Sequence, residues 1–429
     1  MTVQLTVLKE EQASETRVAA SPETVKKLKA MGVSVTVEAG AGAKSGFDDN
    51  DFKQAGASVT KAIVASLKKA DVVVSVRAPS AAKIKSMKAN ALVIGQLNPY
   101  QNAAGVKAMA SQKVQAMSME LMPRITRAQS MDVLSSQSNL AGYKAVLDAT
   151  AEYNRALPMM MTAAGTVPAA RVFVMGAGVA GLQAIATAKR LGAIVSATDV
   201  RAAAAEQVES LGGTFVMVEP DEGDSGETAG GYAKEMSADY QKRQAELVAE
   251  HIAKQDIVIC TALIPGRPAP ELVTRKMVES MKPGSVIVDL AVEQGGNCKL
   301  SKPGKIVQHK GVALIGHQNV PGRLAGNASE LYARNILNFI DAFFDKDKKQ
   351  LAIDWEDEIV LGIGLTRGGE IVHEALAPPA KAASAAKKKP AGLKKQPNPS
   401  PRDAKPLPGQ QQKNRHRASA PPREHNNGK

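Results

Sequence analysis

Residues 171–201 constrain the fold of this chain more than any other stretch. They read RVFVMGAGVAGLQAIATAKRLGAIVSATDVR: an apolar strand, a G-x-G-x-x-G turn, an amphipathic helix, and a second apolar strand that ends at Asp199. Gly176 permits the tight turn, Gly178 lets the backbone approach a diphosphate at the helix N-terminus, and Gly181 lets helix and strand pack closely. The stretch therefore predicts a dinucleotide-binding βαβ unit.

The acid at the end of the second strand predicts which dinucleotide is bound. Asp199 lies where a carboxylate accepts hydrogen bonds from the adenosine ribose and repels a 2′-phosphate, so we expect NAD(H) rather than NADP(H). Arg201 argues the other way, because an Arg near this position can receive a 2′-phosphate. Besides the glycines and Asp199, the cofactor contacts are assigned to Asn139, Val179, Ala180, Val200, Arg201, Ala262 and Leu263.

The charge distribution argues against nucleic-acid binding. The net charge is +13, but 13 of the 55 Lys and Arg and two of the 42 acids follow residue 376, which leaves 42 basic against 40 acidic residues before it. The stretch 377–429 is rich in Pro, Ala and Lys and has almost no large apolar residues, so we expect a disordered basic tail. It is interpreted as a solvated tail or as a patch for anionic lipid or a partner.

Cysteine usage and the N-terminus indicate a cytoplasmic protein. Cys260 and Cys298 lack metal-ligand spacing and are expected to be free thiols in a reducing compartment, with no metal site. The N-terminus lacks the basic start and apolar run of a signal peptide. The longest apolar stretch, 172–188, is already explained by the strand, turn and helix, so we expect no membrane span.

Strand-like and helix-like runs alternate along the chain, which predicts an α/β fold. We expect two Rossmann-like doubly wound parallel-sheet domains separated by a cleft: a discontinuous first domain of 1–138 plus 330–376, and an NAD(H)-binding domain of 139–329. The predicted helices are 22–31 with Ser21 as N-cap, 182–191, and 327–344 with an Asn327/Glu330 capping pair. The predicted strands are 3–8, 34–38, 71–76, 91–96, 114–120, 172–175, 193–198, 214–218, 256–261, 285–289 and 313–316.

Two polar segments are candidates for chemistry. Residues 122–142 are crowded with polar side chains at the domain junction, where open α/β folds bind ligands, although an ordinary polar linker has the same composition. Residues 219–240 form a long loop with Gly231 and Tyr232, which is interpreted as a lid over the site or as an acidic surface insertion. The candidate catalytic residues of the first segment are Arg124, Gln129, Asp132 and Ser135.

The chain resembles the NAD(H)-binding component of proton-translocating NAD(P) transhydrogenases over residues 1–376. The glycine unit, the run RITRAQSMDVLSSQSNLAGY, the loop with GGYAKEM and the run VDLAVEQGGN carry the resemblance. Because no membrane helices follow, it is most similar to the separate alpha component of the three-subunit form. The resemblance implies that Arg124, Gln129, Asp132 and Ser135 hold the dihydronicotinamide in the crevice, and that Tyr232 closes over NADH.

The resemblance also implies partners. NADP(H) is expected on a beta subunit that docks over the exposed nicotinamide, and membrane-spanning subunits are expected to couple transfer to proton movement. The chain is then a homodimer, peripheral on the inner face of the cell membrane through those subunits.

A related family, alanine dehydrogenase, is the alternative. It shares the fold and the N-terminal pattern that begins at Glu15, but its Lys and His that bind pyruvate are replaced here by Arg77 and Asn98, and its AIDQGG aspartate by Glu293. Losing the Lys and His removes the means of forming and protonating an imine. Hydride transfer between two nicotinamides needs alignment rather than a general acid, so the substitutions favour a transhydrogenase. A non-catalytic NAD sensor is a third hypothesis.

Overall fold

The computed structural model describes residues 2–218, 237–264 and 266–376, and all structural statements below concern these residues. The strands, in chain order, are β1 Gln4–Val7, β2 Ser34–Glu38, β3 Ser58–Thr60, β4 Val72–Arg77, β5 Leu92–Gln96, β6 Gln115–Ser118, β7 Met160–Thr162, β8 Gly165–Val167, β9 Arg171–Met175, β10 Ile194–Thr198, β11 Thr214–Phe215, β12 Ile257–Cys260, β13 Val286–Asp289, β14 Lys305–His309, β15 Val312–Gly316, β16 Phe344–Asp345, β17 Gln350–Leu351, β18 Gly364–Arg367 and β19 Glu370–Ile371. The helices are α1 Pro22–Ala30, α2 Asp49–Gln54, α3 Ile63–Leu67, α4 Ala81–Lys85, α5 Ala103–Ser111, α6 Val133–Glu152, α7 Val179–Arg190, α8 Ala204–Ser210, α9 Ala238–Ile252, α10 Arg275–Ser280, α11 Ala325–Ala342 and α12 Glu358–Ile363.

Two large, mostly parallel sheets organise these elements. The first has the order β19-β18-β6-β5-β4-β1-β2-β3, and the second β11-β10-β9-β12-β13-β15-β14. Antiparallel pairing occurs at one end of each sheet, where β18 pairs with β6 and β19, and β14 pairs with β15. The chain leaves the first sheet after β6 and returns to it for β18 and β19, so the expected discontinuous α/β architecture is confirmed.

Each sheet is buried on both faces. In β4, Val72 and Val74 pack into one hydrophobic core and Val73 into another. In β9, the neighbours Val172 and Phe173 likewise pack into two different cores. Successive strand residues point to opposite faces, so continuous apolar strands require helices on both sides. The near-continuous apolar runs in the sequence therefore predicted these strands correctly, apart from their ends.

Two long helices connect the sheets. Helix α6 begins after the 3-10 helix Thr126–Met131, and α11 continues from the 3-10 helix Val320–Leu324. The predicted Asn327/Glu330 cap is wrong, because α11 already begins at Ala325 with Leu324 as N-cap and no side-chain capping bond. Asn327 is already the third residue of this helix. Its side chain is therefore not at the N-cap position, from which it could accept the free N–H groups of the first turn. The domain bounds at 138/139 fall inside α6 and remain predictions.

Candidate functional site

The glycine turn between β9 and α7 is built from close backbone approaches. A Cβ on Gly181 would lie 1.8 Å from the Gly176 carbonyl oxygen, and one on Gly176 (φ +101°) would lie 2.7 Å from the Thr261 hydroxyl. A Cβ on Gly178 would meet nothing. The three glycines therefore have different roles: two allow the turn to close, and the third leaves space at the helix N-terminus.

Helix α7 begins one turn earlier than the sequence predicted. Its first residue is Val179, and its N-cap is Gly178, which makes no side-chain capping bond. The first N–H groups of a helix have no partner within the helix, and the helix dipole adds positive potential there. This end of α7, which includes Val179 and Ala180, therefore suits an anionic group such as a diphosphate.

Asp199 is held by the protein on both oxygens. Oδ2 accepts from the Ala177 N–H (2.8 Å) and from Arg201 Nη2 (2.9 Å), and Oδ1 accepts from the Arg201 N–H and Nε, both at 2.9 Å. Burial alone would raise the pKa of Asp199, but the hydrogen bonds and charge of Arg201 hold it below its usual value. The carboxylate is thus charged, hydrogen-bonded to the glycine turn, and paired with Arg201, the side chain that could otherwise receive a 2′-phosphate.

The ends of β12 and β13 complete this side of the site. Thr261 Oγ1 donates to the Gly176 carbonyl (2.9 Å), and Ala262 exchanges hydrogen bonds with the Asn297 side chain at 2.9 and 3.1 Å. Asp289 is fully buried and accepts the Ala291, Asn297 and Cys298 N–H groups at 2.9–3.2 Å. Asp289 therefore holds the loop that holds Ala262 beside the glycine turn. Leu263, by contrast, is exposed.

The predicted catalytic segment lies at the start of α6. Asp132 is the N-cap, and it accepts from the Ser135 N–H (2.9 Å) and from Ser135 Oγ (2.5 Å). The Ser130 carbonyl accepts from the Asn335 and Asn338 amides, at 2.8 and 2.9 Å. The 3-10 helix is therefore anchored to α11. On it the Gln129 side chain is exposed.

The structure brings some predicted residues together and leaves others apart. Asp132 and Ser135 are in contact at the start of helix α6, and the exposed Asn139 lies about one turn further along it. Gly142 of the same helix contacts the N-terminal end of α7. Arg124 is exposed and precedes the 3-10 helix. Gly231 and Tyr232 lie outside the described residues. The end of the predicted lid is helical rather than a loop, because α9 begins at Ala238.

A buried charge network lies under the cleft on the side of the first sheet. Glu15 accepts from Arg17 Nε (2.8 Å) and Nη2 (2.7 Å), from Arg77 Nε (2.8 Å) and from Asn319 Nδ2 (3.1 Å). Burial alone would raise the pKa of Glu15, but the bonds and charges of Arg17, with Arg77, lower it to about 2. Asn319 follows β15 of the second sheet, so this network joins the two halves of the cleft.

A cavity of about 520 Å³ opens beside that network, at the carboxyl ends of β4 and β5. Arg77, Asn98 and Glu293, which the resemblance matches to the Lys, His and Asp of alanine dehydrogenases, line it together. Asn98 has φ +48°, and its backbone N–H donates to the carboxylate of the partly buried Glu120. Neither Arg77 nor Asn98 is an amine or an imidazole, so these two side chains cannot form an imine or exchange a proton as a Lys and a His could.

Metal-binding clusters and membrane-spanning helices are both absent from the described residues. Among them, no group of His, Cys, Asp and Glu has the arrangement of a metal site. Within the same ranges, no helix is long and apolar enough to cross a bilayer. Cys260 and Cys298 are both buried and free, and burial raises the pKa of each thiol.

Two family models cover nearly all of the described chain. "Alanine dehydrogenase/PNT, N-terminal domain" matches residues 6–141, and "Alanine dehydrogenase/PNT, C-terminal domain" matches residues 145–374. The chain belongs to the alanine dehydrogenase/PNT family.

Within this family the chain is more similar to transhydrogenases than to alanine dehydrogenases. It is 55% identical over 379 residues to the first portion of the NAD(P) transhydrogenase alpha subunit of Rhodospirillum rubrum, and the match covers 87% of this chain and 99% of that one. It is 30% identical over 375 residues to alanine dehydrogenase 1 of Staphylococcus aureus, covering 85% and 93%. A crystal structure of transhydrogenase from Sinorhizobium meliloti matches with a TM-score of 0.78 and 56% identity, over 86% of this chain and all of that one. The resemblance found in the sequence is confirmed.

Three residues that shape the candidate site were not singled out in the sequence. Thr261 and Asn297 hold the β12 end against the glycine turn, and Gly142 contacts the first turn of α7. A signal existed for Asn297, because it ends the VDLAVEQGGN run that carried the resemblance. Gly142 likewise lies in the run RITRAQSMDVLSSQSNLAGY, whereas Thr261 lies in none of these runs. The specific roles of Gly142 and Thr261 depend on contacts between distant parts of the chain, which no local pattern shows.

Proposed function

We propose that this chain is the NAD(H)-binding subunit of an NAD(P) transhydrogenase. NADH is a substrate here: a hydride moves from its C4 to C4 of NADP⁺ on a partner beta subunit, giving NAD⁺ and NADPH. Membrane-spanning partners couple the transfer to proton movement, and the chain, as a homodimer, lies at the inner face of the membrane through them. The names of its transhydrogenase relatives, which call them alpha subunits, support this arrangement.

The observation that carries the proposal is the glycine turn with its uncapped helix end. Gly178 leaves open space where α7 begins, and the Ala177 N–H is oriented by Asp199. The backbone there can bind the diphosphate, and Asp199 can accept from the adenosine ribose if the Arg201 side chain yields its place. The Asp199 charge favours NAD(H) over NADP(H), whose 2′-phosphate it would repel.

The other end of the site has the features of a positioning surface. Asp132 and Ser135 form a short hydrogen-bonded pair at the start of α6, and Gln129 stands on a 3-10 helix anchored to α11. These side chains can orient the ring and its carboxamide. Because the transfer exchanges no proton with a side chain, alignment and the exclusion of water suffice.

The alternative activity, amino-acid dehydrogenation, is favoured by the cleft cavity and by the 30% identity to alanine dehydrogenase 1. It requires an acid–base group at the substrate, and Arg77 and Asn98 do not provide one. Arg77 is committed through Nε to Glu15. We therefore place this activity second.

One experiment separates the two. The purified chain is mixed with NADH and a purified NADP(H)-binding transhydrogenase component with NADP⁺, and NADPH formation is followed; in parallel, the chain receives pyruvate, ammonium and NADH. We expect transfer in the first mixture, almost none when the component is omitted, and no oxidation of NADH in the second. Steady pyruvate-dependent oxidation would overturn the proposal, and NADH binding without transfer to the component would favour a sensor.

A further inference from the structure

Helices α6 and α7 approach each other more closely than side chains would allow. A Cβ on Gly142 would lie 2.0 Å from the Ala180 carbonyl oxygen, and 2.8 and 3.0 Å from its carbonyl carbon and Cα. Real Cβ atoms essentially never lie within 3.0 Å of another heavy atom in this way. The backbones of the two helices are therefore in direct contact at this point, and any side chain at Gly142 would separate them by about 1 Å or more.

The two helices carry opposite ends of the proposed site. Ala180 is in the first turn of α7, beside the glycine turn, and α6 begins at the Asp132 and Ser135 pair. With a rise of about 1.5 Å per residue, Ser135 is about 10 Å and Asp132 about 15 Å along the axis from Gly142. Helix α6 is thus a rigid connection between the diphosphate end and the nicotinamide end.

The same contact is continuous with the packing of the glycine turn. Gly181 approaches the Gly176 carbonyl, and Gly176 approaches Thr261 at the end of β12. Each approach is between backbone and backbone or a short side chain, so none of them can adjust by rotating a long side chain. A displacement of α6 at Gly142 is therefore carried to Asp132 rather than absorbed locally.

We infer that Gly142 is a positioning residue for hydride transfer: the absence of a side chain there sets the distance between the nicotinamide-holding start of α6 and the diphosphate-holding start of α7. This inference rests on the proposed function. Misplacing reacting atoms by about 1 Å can cost about a hundredfold in rate. Binding is less sensitive, because its contacts at the turn and at Asp199 stay in place.

The test is Gly142→Ala in the full chain, compared with Gly326→Ala. Gly326 is also helical, in α11, and its Cβ would make only ordinary contact at 3.4 Å from the Ser45 carbonyl. Alanine is the better helix former in both places, so helix propensity does not explain a loss. With the NADP(H) component, we expect Gly142→Ala to transfer hydride at least tenfold more slowly at saturating NADH, with its NADH Kd changed less than threefold. Gly326→Ala should stay within twofold in both.

Three results would overturn the inference: an unchanged transfer rate, a Kd that rises in proportion to the loss of rate, or a lower melting temperature with normal transfer. If Gly142→Ala does not fold, Ala184→Val replaces it and is judged by the same criteria, because the fully buried Ala184 lies one turn beyond Ala180 in α7. If the wild-type chain transfers nothing, the proposed function fails. The inference is then judged by the emission of bound NADH, which should shift in Gly142→Ala and not in Gly326→Ala.

Discussion

The two ends of the candidate site differ in whether the backbone or the side chains form them. The glycine-turn region, from Gly176 to Asp199 with Thr261, is held by backbone approaches that leave no room for an additional carbon at Gly176 or Gly181. The polar region, residues 124–139, presents exposed side chains on an anchored 3-10 helix and at a helix N-cap. Close backbone contacts suit the diphosphate, which all dinucleotides share, but they tolerate almost no substitution. Exposed side chains can orient one ring, the nicotinamide, and can be replaced by residues of slightly different length.

The largest expected effect comes from adding one methyl group to the main-chain end. In Gly181→Ala the Cβ would fall 1.8 Å from the Gly176 carbonyl oxygen, so the turn or α7 must move. Overpacking of this kind destabilises the fold by about 1–3 kcal/mol, and we expect NADH affinity to fall by more than about 100-fold. Fluorescence titration and thermal melting measure the two effects.

Gly178→Ala is the matched control, because its Cβ would meet no protein atom. We expect this variant to melt like the wild type and yet to bind NADH about tenfold more weakly, since the second glycine is where the diphosphate approaches the backbone. If both variants lost stability equally, or if Gly181→Ala bound NADH normally, the distinction between closing and contacting glycines would be wrong.

A smaller and different effect is expected at the polar end. Gln129→Asn shortens an exposed side chain by one methylene without a change of charge, and so withdraws its amide from the ring. We expect hydride transfer to slow by about 10- to 100-fold while the NADH Kd changes less than about threefold. The exposed Gln54→Asn, in α2, should change neither. Loss of NADH binding in Gln129→Asn would instead make Gln129 a binding residue.

The difference between the two ends also explains what the sequence could predict. The glycine turn was predictable because only glycine meets its backbone requirements. Gly176 has φ +101°, and Gly181 has no space for a side chain. The central strands were predictable because burial on both faces demands continuous apolar runs.

Other features could not be derived from local patterns. The contact of Gly142 with Ala180 joins residues 38 positions apart, and the pairing of Arg201 with Asp199 depends on a side-chain orientation. The short strands β16 to β19 have two to four residues, too few for a period to emerge. At Asn327 a good local capping pattern was overridden, because the preceding 3-10 helix had already started the turn.

Asp199 belongs to the main-chain end but acts through its charge, so it tests whether that end also selects the cofactor. Asp199→Asn keeps one oxygen for the Ala177 N–H and removes the counter-charge of Arg201. We expect NADH binding to weaken by about 1–2 kcal/mol, the scale of a charge-assisted hydrogen bond, and NADPH binding to improve because Arg201 becomes available to a 2′-phosphate. Titration with both dinucleotides measures this. Asp256→Asn, at the other end of the sheet, is the control, and equal affinities in the wild type would contradict the assignment.

The last expected effect, no larger than that at Asp199, concerns the charges under the cleft on the first-sheet side. Glu10 accepts from the Val76 N–H (2.7 Å) and the Arg77 N–H (3.2 Å), and burial, with the nearby Glu15 charge, raises its pKa from 4.5 to about 7. The folded state therefore prefers the protonated form. Its stabilising contribution is complete below about pH 4.5 and is lost as the pH rises through 7.

We therefore expect the free energy of unfolding to fall by about 1–2 kcal/mol between pH 5 and 8 from this group, less than a fully buried carboxyl would give because Glu10 keeps some contact with water. Glu10→Gln should be less stable overall, since its amide nitrogen faces a backbone N–H, but its stability should depend less on pH over this range. Denaturant midpoints at constant m-value give the slope, with Glu11→Gln as the control. Glu15 acts in the opposite sense, since its pKa of about 2 makes its contribution disappear only as the pH falls below 4.5. A wild-type slope that survived Glu10→Gln would mean that the pH dependence arises elsewhere.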